Sequence, residues 1–196
     1  MTAVPPTKGD RTRRRLLDAA AAQVARLGPA GVSLGGIAAA AGLKTGSVYF
    51  HFASKDELIA TVLEEGLRES LRLLEEALAA VPDGADARAR LRAAIRAHLG
   101  ALHELDDYAV VVLTRRSADE LPAAAEFREL RKRYVGRWAE LVADAQRAGV
   151  LPSGPDPRDV RDLIFGAMNS TLGRRGWSPD DTAVTLDRLL GLDPSP

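Results

Sequence analysis

Three groups of residues in this chain have the types and spacing to do chemistry. The first is the run Lys44-Thr45-Gly46-Ser47-Val48-Tyr49, with Ser33 before it and His51 and Lys55 behind it. Thr45, Ser47 and Tyr49 are short or planar hydroxyl donors suited to base edges and phosphate oxygens, and Gly46 lets a helix backbone approach another surface closely. Only Lys44 brings formal charge to this helix, so readout through it leans on hydroxyls, thymine-methyl contacts and DNA shape more than on arginine–guanine pairs. The second group, Gly31-Val32-Ser33-Leu34-Gly35, matches the G-x-S-x-G of a hydrolase. A nucleophile elbow needs a strand before its serine, whereas a helical pattern ending at Gly28-Pro29 precedes Ser33, which reads as an N-cap. The third is His98 and His103, whose five-residue spacing sets them about 140° apart around a helix and spoils a shared metal face. The chain has no cysteine, so a disulfide framework, a thiolate zinc site and cysteine catalysis are excluded. With no phosphate-loop signature or acidic pair either, neither catalytic residues nor a metal or cofactor is expected.

The elements that must position the first group follow from periodicity and punctuation. Leu34, Ile37, Ala38 and Ala41 recur at helical spacing, Gly42 can supply the positive φ that ends a helix, and the segment from Lys44 to Tyr49 is left as a solvent-facing second helix able to enter a major groove. Phe50 and Phe52 are expected in the core. Tyr49 reads either as a nucleic-acid contact or as an aromatic between helices, His51 as a phosphate contact or a helix-end cap, and Lys55 as a phosphate contact or a solvated side chain. Asp10 can cap an earlier helix with an apolar stripe of Leu16, Leu17, Ala20, Ala21, Val24 and Leu27. Ser54-Lys55-Asp56-Glu57 is a capping box, and behind it an apolar face runs from Leu58 to Leu78, until Val81-Pro82. This long helix leaves the first module and enters the second. Further helices are expected near 84–104, 107–118, 123–148, 157–173 and 179–190, the last two with proline at the first helical position. No period-2 alternation is sustained, so the expected class is all-α: an N-terminal three-helix helix-turn-helix DNA-binding domain at 1–58, then a helical ligand-binding and dimerisation domain at 59–196.

The charge agrees with that division. Across 196 residues 27 basic side chains balance 27 acidic ones, but residues 1–58 carry +4 and residues 59–196 carry −4. A basic small module on an acidic body is the footprint of a protein whose one end meets phosphate, although the cluster Arg11 to Arg15 alone reads equally as a solvated first turn. No run approaches a membrane span and the N-terminus has no apolar leader, so a cytoplasmic protein without a membrane partner is expected.

The stretch from residue 10 to 60 resembles the TetR family of transcriptional repressors. The residues that carry the resemblance are Gly31-Val32-Ser33-Leu34, Ile37-Ala38, Ala41-Gly42-Leu43, Gly46-Ser47-Val48-Tyr49-Phe50-His51-Phe52 and Lys55-Asp56-Glu57-Leu58. The resemblance implies a homodimer on a palindromic double-stranded DNA operator, with the helix of Thr45, Gly46, Ser47 and Tyr49 in the major groove and Ser33, Tyr49, His51 and Lys55 approaching phosphates. The chain departs from the family at Gly35-Gly36, where residues of better helix propensity are usual, and at Lys44, where many members place a capping serine. Between His98 and Trp177 it is similar to members that answer to acyl-CoA thioesters, which implies a small hydrophobic effector. Tyr108, Trp138, Met168, Asn169 and Trp177 then become candidate pocket residues, and Arg115-Arg116 or Arg174-Arg175 candidates for its acidic group. Taken singly, each aromatic also reads as core and each arginine as solvated. The helices at 157–173 and 179–190, with Leu163, Ile164, Ala167, Leu186, Leu189 and Leu190, are expected to pair with their symmetry mates.

Overall fold

The computed structural model describes residues 5, 7–114, 124–172, 174 and 176–192. These form nine α-helices and no strand: α1 Lys8–Leu27, α2 Leu34–Ala40, α3 Thr45–Tyr49, α4 Lys55–Ala79, α5 Ala87–Leu105, α6 Asp107–Thr114, α7 Ala125–Arg147, α8 Pro157–Asn169 and α9 Pro179–Leu189. Two compact units result, one within Met1–Gly66 and Asp107–Arg128, the other within Leu67–Asp106 and Glu129–Pro196. The first therefore takes α6 out of the stretch that composition assigns wholly to the second domain. α6 packs against α1, where the Tyr108 hydroxyl donates to Asp18 at 2.9 Å and the Arg14 guanidinium lies 5.4 Å from the Tyr108 ring centre. Burial and the Asp18 carboxylate both push the Tyr108 phenol above its usual range. A Cβ on Gly66 of α4 would meet the Tyr108 Cβ at 3.2 Å and Val112 at 3.3 Å, so glycine is what lets α6 lie this close.

Local capping chemistry sets the helix ends. α1 starts one turn earlier than Asp10 suggests, because Thr7 is the N-cap: its hydroxyl accepts from the Asp10 N–H, while the Asp10 carboxylate accepts from the Thr7 N–H. The bonds from Thr7 hold the Asp10 carboxyl below its ordinary value. Leu16, Leu17, Ala20, Ala21 and Val24 are buried as the stripe requires, but Leu27, beside the break at Gly28, is exposed. At α4 the Glu57 N–H donates to Ser54, and Glu57 in return accepts from the N–H of Ala53, one residue before the usual partner. Asp156 and Ser178 cap α8 and α9, each with proline at the start of the helix.

In the second unit α5 packs against α9 and α8. Asp187 of α9 is buried and accepts from Arg92 at 3.0 Å and Arg96 at 2.7 Å, two arginines one turn apart on α5. Removing one partner of such a pair strands a buried charge. α8 ends at Asn169, four residues short of expectation, and residues 170–172 continue as turn. On α8 and α9 Ile164 and Leu186 are buried, while Leu163 and Leu189 are 75% and 77% exposed.

Gly42 follows α2 at φ +65°, and an added Cβ would lie 3.1 Å from the Arg15 guanidinium. Gly42→Ala is therefore expected to destabilise the protein by about 1–2 kcal/mol, from left-handed backbone strain plus displacement of Arg15. Chemical denaturation of the two proteins checks this.

Candidate nucleic-acid interface

The turn at Gly42 builds the candidate interface. Leu43 N–H donates to the Ala38 carbonyl at 2.8 Å and Gly42 N–H to the Ala39 carbonyl at 3.0 Å, the paired bonds that close a helix through a left-handed residue. Arg15 of α1 caps the same end by donating to the Ala41 carbonyl. At the start of α2 the Ser33 hydroxyl accepts from the Gly36 N–H at 3.1 Å. Gln23 ties α2 to α1 by donating to the Gly36 carbonyl at 2.9 Å. The glycine at 36 has a local reason, since a Cβ there would press on the Ser33 hydroxyl at 3.2 Å and on Gln23 at 3.5 Å.

On α3 Val48 is fully buried and Ser47 partly so, whereas Lys44, Thr45, Gly46 and Tyr49 are exposed. Tyr49 is 60% exposed, so it is not packed between helices. A Cβ on Gly46 would meet nothing within 4 Å, which leaves the helix backbone open to close approach. Lys44 precedes α3 without a side-chain cap, as expected of lysine in that place. His51 is half-buried and its backbone N–H donates to the Val48 carbonyl. Thr45, Gly46 and Tyr49 are thus brought onto one exposed surface, and Ser33 also remains exposed.

Three expectations change. Phe52 is buried at 2% exposure with Arg13 above its ring, but Phe50, two residues earlier, is 92% exposed rather than core. Lys55 is not simply a solvated side chain, because its ammonium donates to the carbonyls of Pro29 and Val32 at 3.1 and 3.3 Å. Of its three protons, two hold the start of α4 to the segment before α2. The basic run is likewise occupied by the fold: Arg13 over Phe52, Arg14 paired with Asp18 at 2.9 Å and Arg15 on Ala41.

The candidate effector residues are less united. Trp138 and Met168 are fully buried in the second unit, beside Asn169, whose side-chain oxygen lies 3.0 Å from His98 Nε2. That oxygen can only accept, so Nε2 carries the imidazole proton and the Tyr134 hydroxyl donates to Nδ1 at 2.8 Å. Phe165 stacks on the His98 ring at 5.1 Å and Trp138 meets it edge-on at 5.8 Å. The sequence reads His98 on its own only as half of a pair unfit for a metal, and it carries no separate signal for Tyr134 or Phe165. Tyr108 belongs to the first unit, Trp177 packs edge-on against His103, and Arg174 is exposed. Arg115, Arg116 and Arg175 lie outside the described residues. Among the described residues no group of three or more metal-ligating side chains occurs, and no helix is long and apolar enough to cross a membrane.

Burial lowers the His98 imidazole to about 4, against 6.5 when exposed. The unfolded chain therefore binds a proton below about pH 6.5 that the native site refuses until about pH 4. Stability should be insensitive to His98 above that window, fall by about 3 kcal/mol across it, and level off below it. His98→Gln should flatten this part of the profile in urea melts at pH 7 and pH 4.5. At the interface, Tyr49→Ala should alter stability by no more than about 0.5 kcal/mol. Lys55→Met should cost about 1–2 kcal/mol through two orphaned carbonyls, which thermal melts distinguish.

Comparison with known proteins gives the arrangement a family. Residues 16–62 match the model for bacterial regulatory proteins of the tetR family, and residues 84–173 match the tetracyclin repressor-like C-terminal domain. The HTH-type transcriptional repressor KstR2 of Rhodococcus jostii (strain RHA1) is 32% identical over 191 residues, covering 93% of this chain and 88% of its own. The fatty acid metabolism regulator protein of Bacillus subtilis (strain 168) is 23% identical over 175 residues, covering 89% and 88%. The structure of AibR in complex with isovaleryl coenzyme A and operator DNA shares the fold with a TM-score of 0.74 at 21% identity, covering 92% and 97%. Ser33 is accordingly a helix cap in a regulator and not the nucleophile of a hydrolase. The chain belongs to the TetR family of helix-turn-helix transcriptional repressors.

Proposed function

We propose that this repressor binds a partly palindromic double-stranded operator as a homodimer, through the surface formed by Ser33, Lys44, Thr45, Gly46, Ser47, Tyr49 and His51, and that a small hydrophobic effector releases it. Residues 1–58 are the reading module in this account, with α6 packed on α1 beside it, and the remainder of 59–196 is the responding body. The observation that carries it is the outward face of α3, where one buried valine fixes a helix whose polar residues and lone glycine are left for another surface. Lys55 adds its remaining proton to the phosphate edge. Dimerisation is supported by Leu163 and Leu189, large apolar side chains left exposed on α8 and α9. Two recognition helices then face successive major grooves about 34–36 Å apart. A protein that works on DNA in this way acts in the cytoplasm.

For the effector we propose an acyl-CoA thioester. Support comes from the neighbour seen with isovaleryl coenzyme A and from the fatty acid regulator among the relatives. Trp138, Met168, Asn169 and Trp177 are the proposed contacts for its apolar part, and Arg115 is proposed for the anionic part. Tyr108, held to Asp18 of α1, is the proposed responder on the DNA-binding side. A ligand controls DNA occupancy only by preferring one state, and a useful coupling is about 1–3 kcal/mol. α4, one helix from Lys55 to Ala79, is the proposed lever.

Duplex selected from a random pool should be bound by a dimer. The slope of log affinity against log salt should be about −0.9 for each phosphate neutralised. Tyr49→Ala should weaken that duplex by about 1–3 kcal/mol. Calorimetry with an acyl-CoA panel, with and without operator, should give weaker binding in the presence of operator. A salt-independent affinity would contradict the DNA reading, and identical acyl-CoA affinities in the two conditions would contradict the coupling.

A further inference from the structure

Phe50 is the least expected side chain on the surface. It stands at the C-cap of α3 in right-handed helical backbone, directly after Tyr49, with its ring 92% exposed while Phe52 is buried under Arg13. The ring thus contributes nothing to the core, and it sits beside the polar face of the recognition helix. A benzyl group can neither donate nor accept a conventional hydrogen bond, so phosphate oxygens and the hydrogen-bonding edges of bases offer it nothing. The one apolar group displayed in the major groove is the thymine C5-methyl. Within the segment from Lys44 to Tyr49, Lys44 supplies the only formal charge and Gly46 supplies no side chain at all. Readout by this head is therefore poor in charged base contacts and open to an apolar one.

We propose that Phe50 is a specificity-determining residue that reads a thymine methyl in each operator half-site. This rests on the assignment of α3 as the DNA-reading element. Desolvating an almost fully exposed ring against a methyl favours binding only where that methyl is present, so the contact discriminates thymine from cytosine and from uracil at a single position. Tyr49 beside it keeps a hydroxyl for phosphate or a base edge, and the two aromatics divide apolar from polar recognition.

The test uses the full-length protein, a duplex selected by it from a random pool, and Phe50→Ala. Because the ring packs on nothing, the variant should melt within about 2 °C of the parent. Deoxyuridine is placed at each thymine of a half-site in turn, removing only the methyl. One position is expected to weaken the parent on the order of tenfold and Phe50→Ala less than twofold, and the variant should bind the unmodified duplex about tenfold more weakly than the parent. Equal affinity of parent and variant for the selected duplex would overturn the proposal. So would a weakened variant whose loss is the same with every uracil-substituted duplex, since the ring would then pack on the sugar backbone. If the parent selects no duplex at all, the DNA-reading assignment itself fails, and this inference with it.

Discussion

The reading head depends on a backbone constraint, the left-handed conformation at Gly42. One residue at φ +65° lets the chain reverse after α2, and the two carbonyls it leaves are met by the Leu43 and Gly42 amides instead of by water. The reversal sets the start of α3 three residues later, and Val48 then fixes its rotation by burying fully. A five-residue helix has too little propensity to persist alone. It is held by a turn at one end and by Val48 and Phe52 at the other, so its remaining side chains are free of structural duty. That freedom is the physical basis for recognition: Thr45, Gly46 and Tyr49 lie outward because the fold does not use them.

The surrounding charges serve the same constraint. Arg15 ends α2, Lys55 closes the segment between Pro29 and Val32 onto α4, and Arg13 covers Phe52. Each is a cation placed on carbonyl oxygens or an aromatic face, where it stabilises helix ends and the packing beneath. The excess positive charge of the N-terminal module is real, but several of its bearers are oriented by the fold. They act on a polyanion through the field they create more than by direct contact.

How much of this was legible follows from how local each signal is. The end of α2 at Gly42, the Ser33 cap, the Ser54–Glu57 cap and the prolines that open α8 and α9 each involve residues within about one helical turn, and the sequence displays them. Asp10 was legible in type but displaced in role, because a threonine three residues earlier competes for the same helix start. Phe50 and Phe52 differ by two residues in a segment that leaves helical geometry between them, so periodicity carries no information on which of them turns inward. The partners of Arg15 and Lys55 lie 23 to 26 residues away, and those of His98 lie 36 and 71 away. Only the fold brings such residues together. The buried ring cluster of the second unit was invisible for this reason, although its helices were readable one by one.

The central claim is that the outward face of α3 recognises DNA. Amide and side-chain chemical-shift changes across the protein, followed by NMR as a selected duplex is added, test it most directly. The account predicts the largest changes at Lys44, Thr45, Gly46, Tyr49 and Phe50, with Ser33 and His51 following and Val48 responding only through its neighbours. It would be contradicted if those signals stayed fixed while the exposed basic residues Arg131, Lys132 and Arg133 of α7 moved instead.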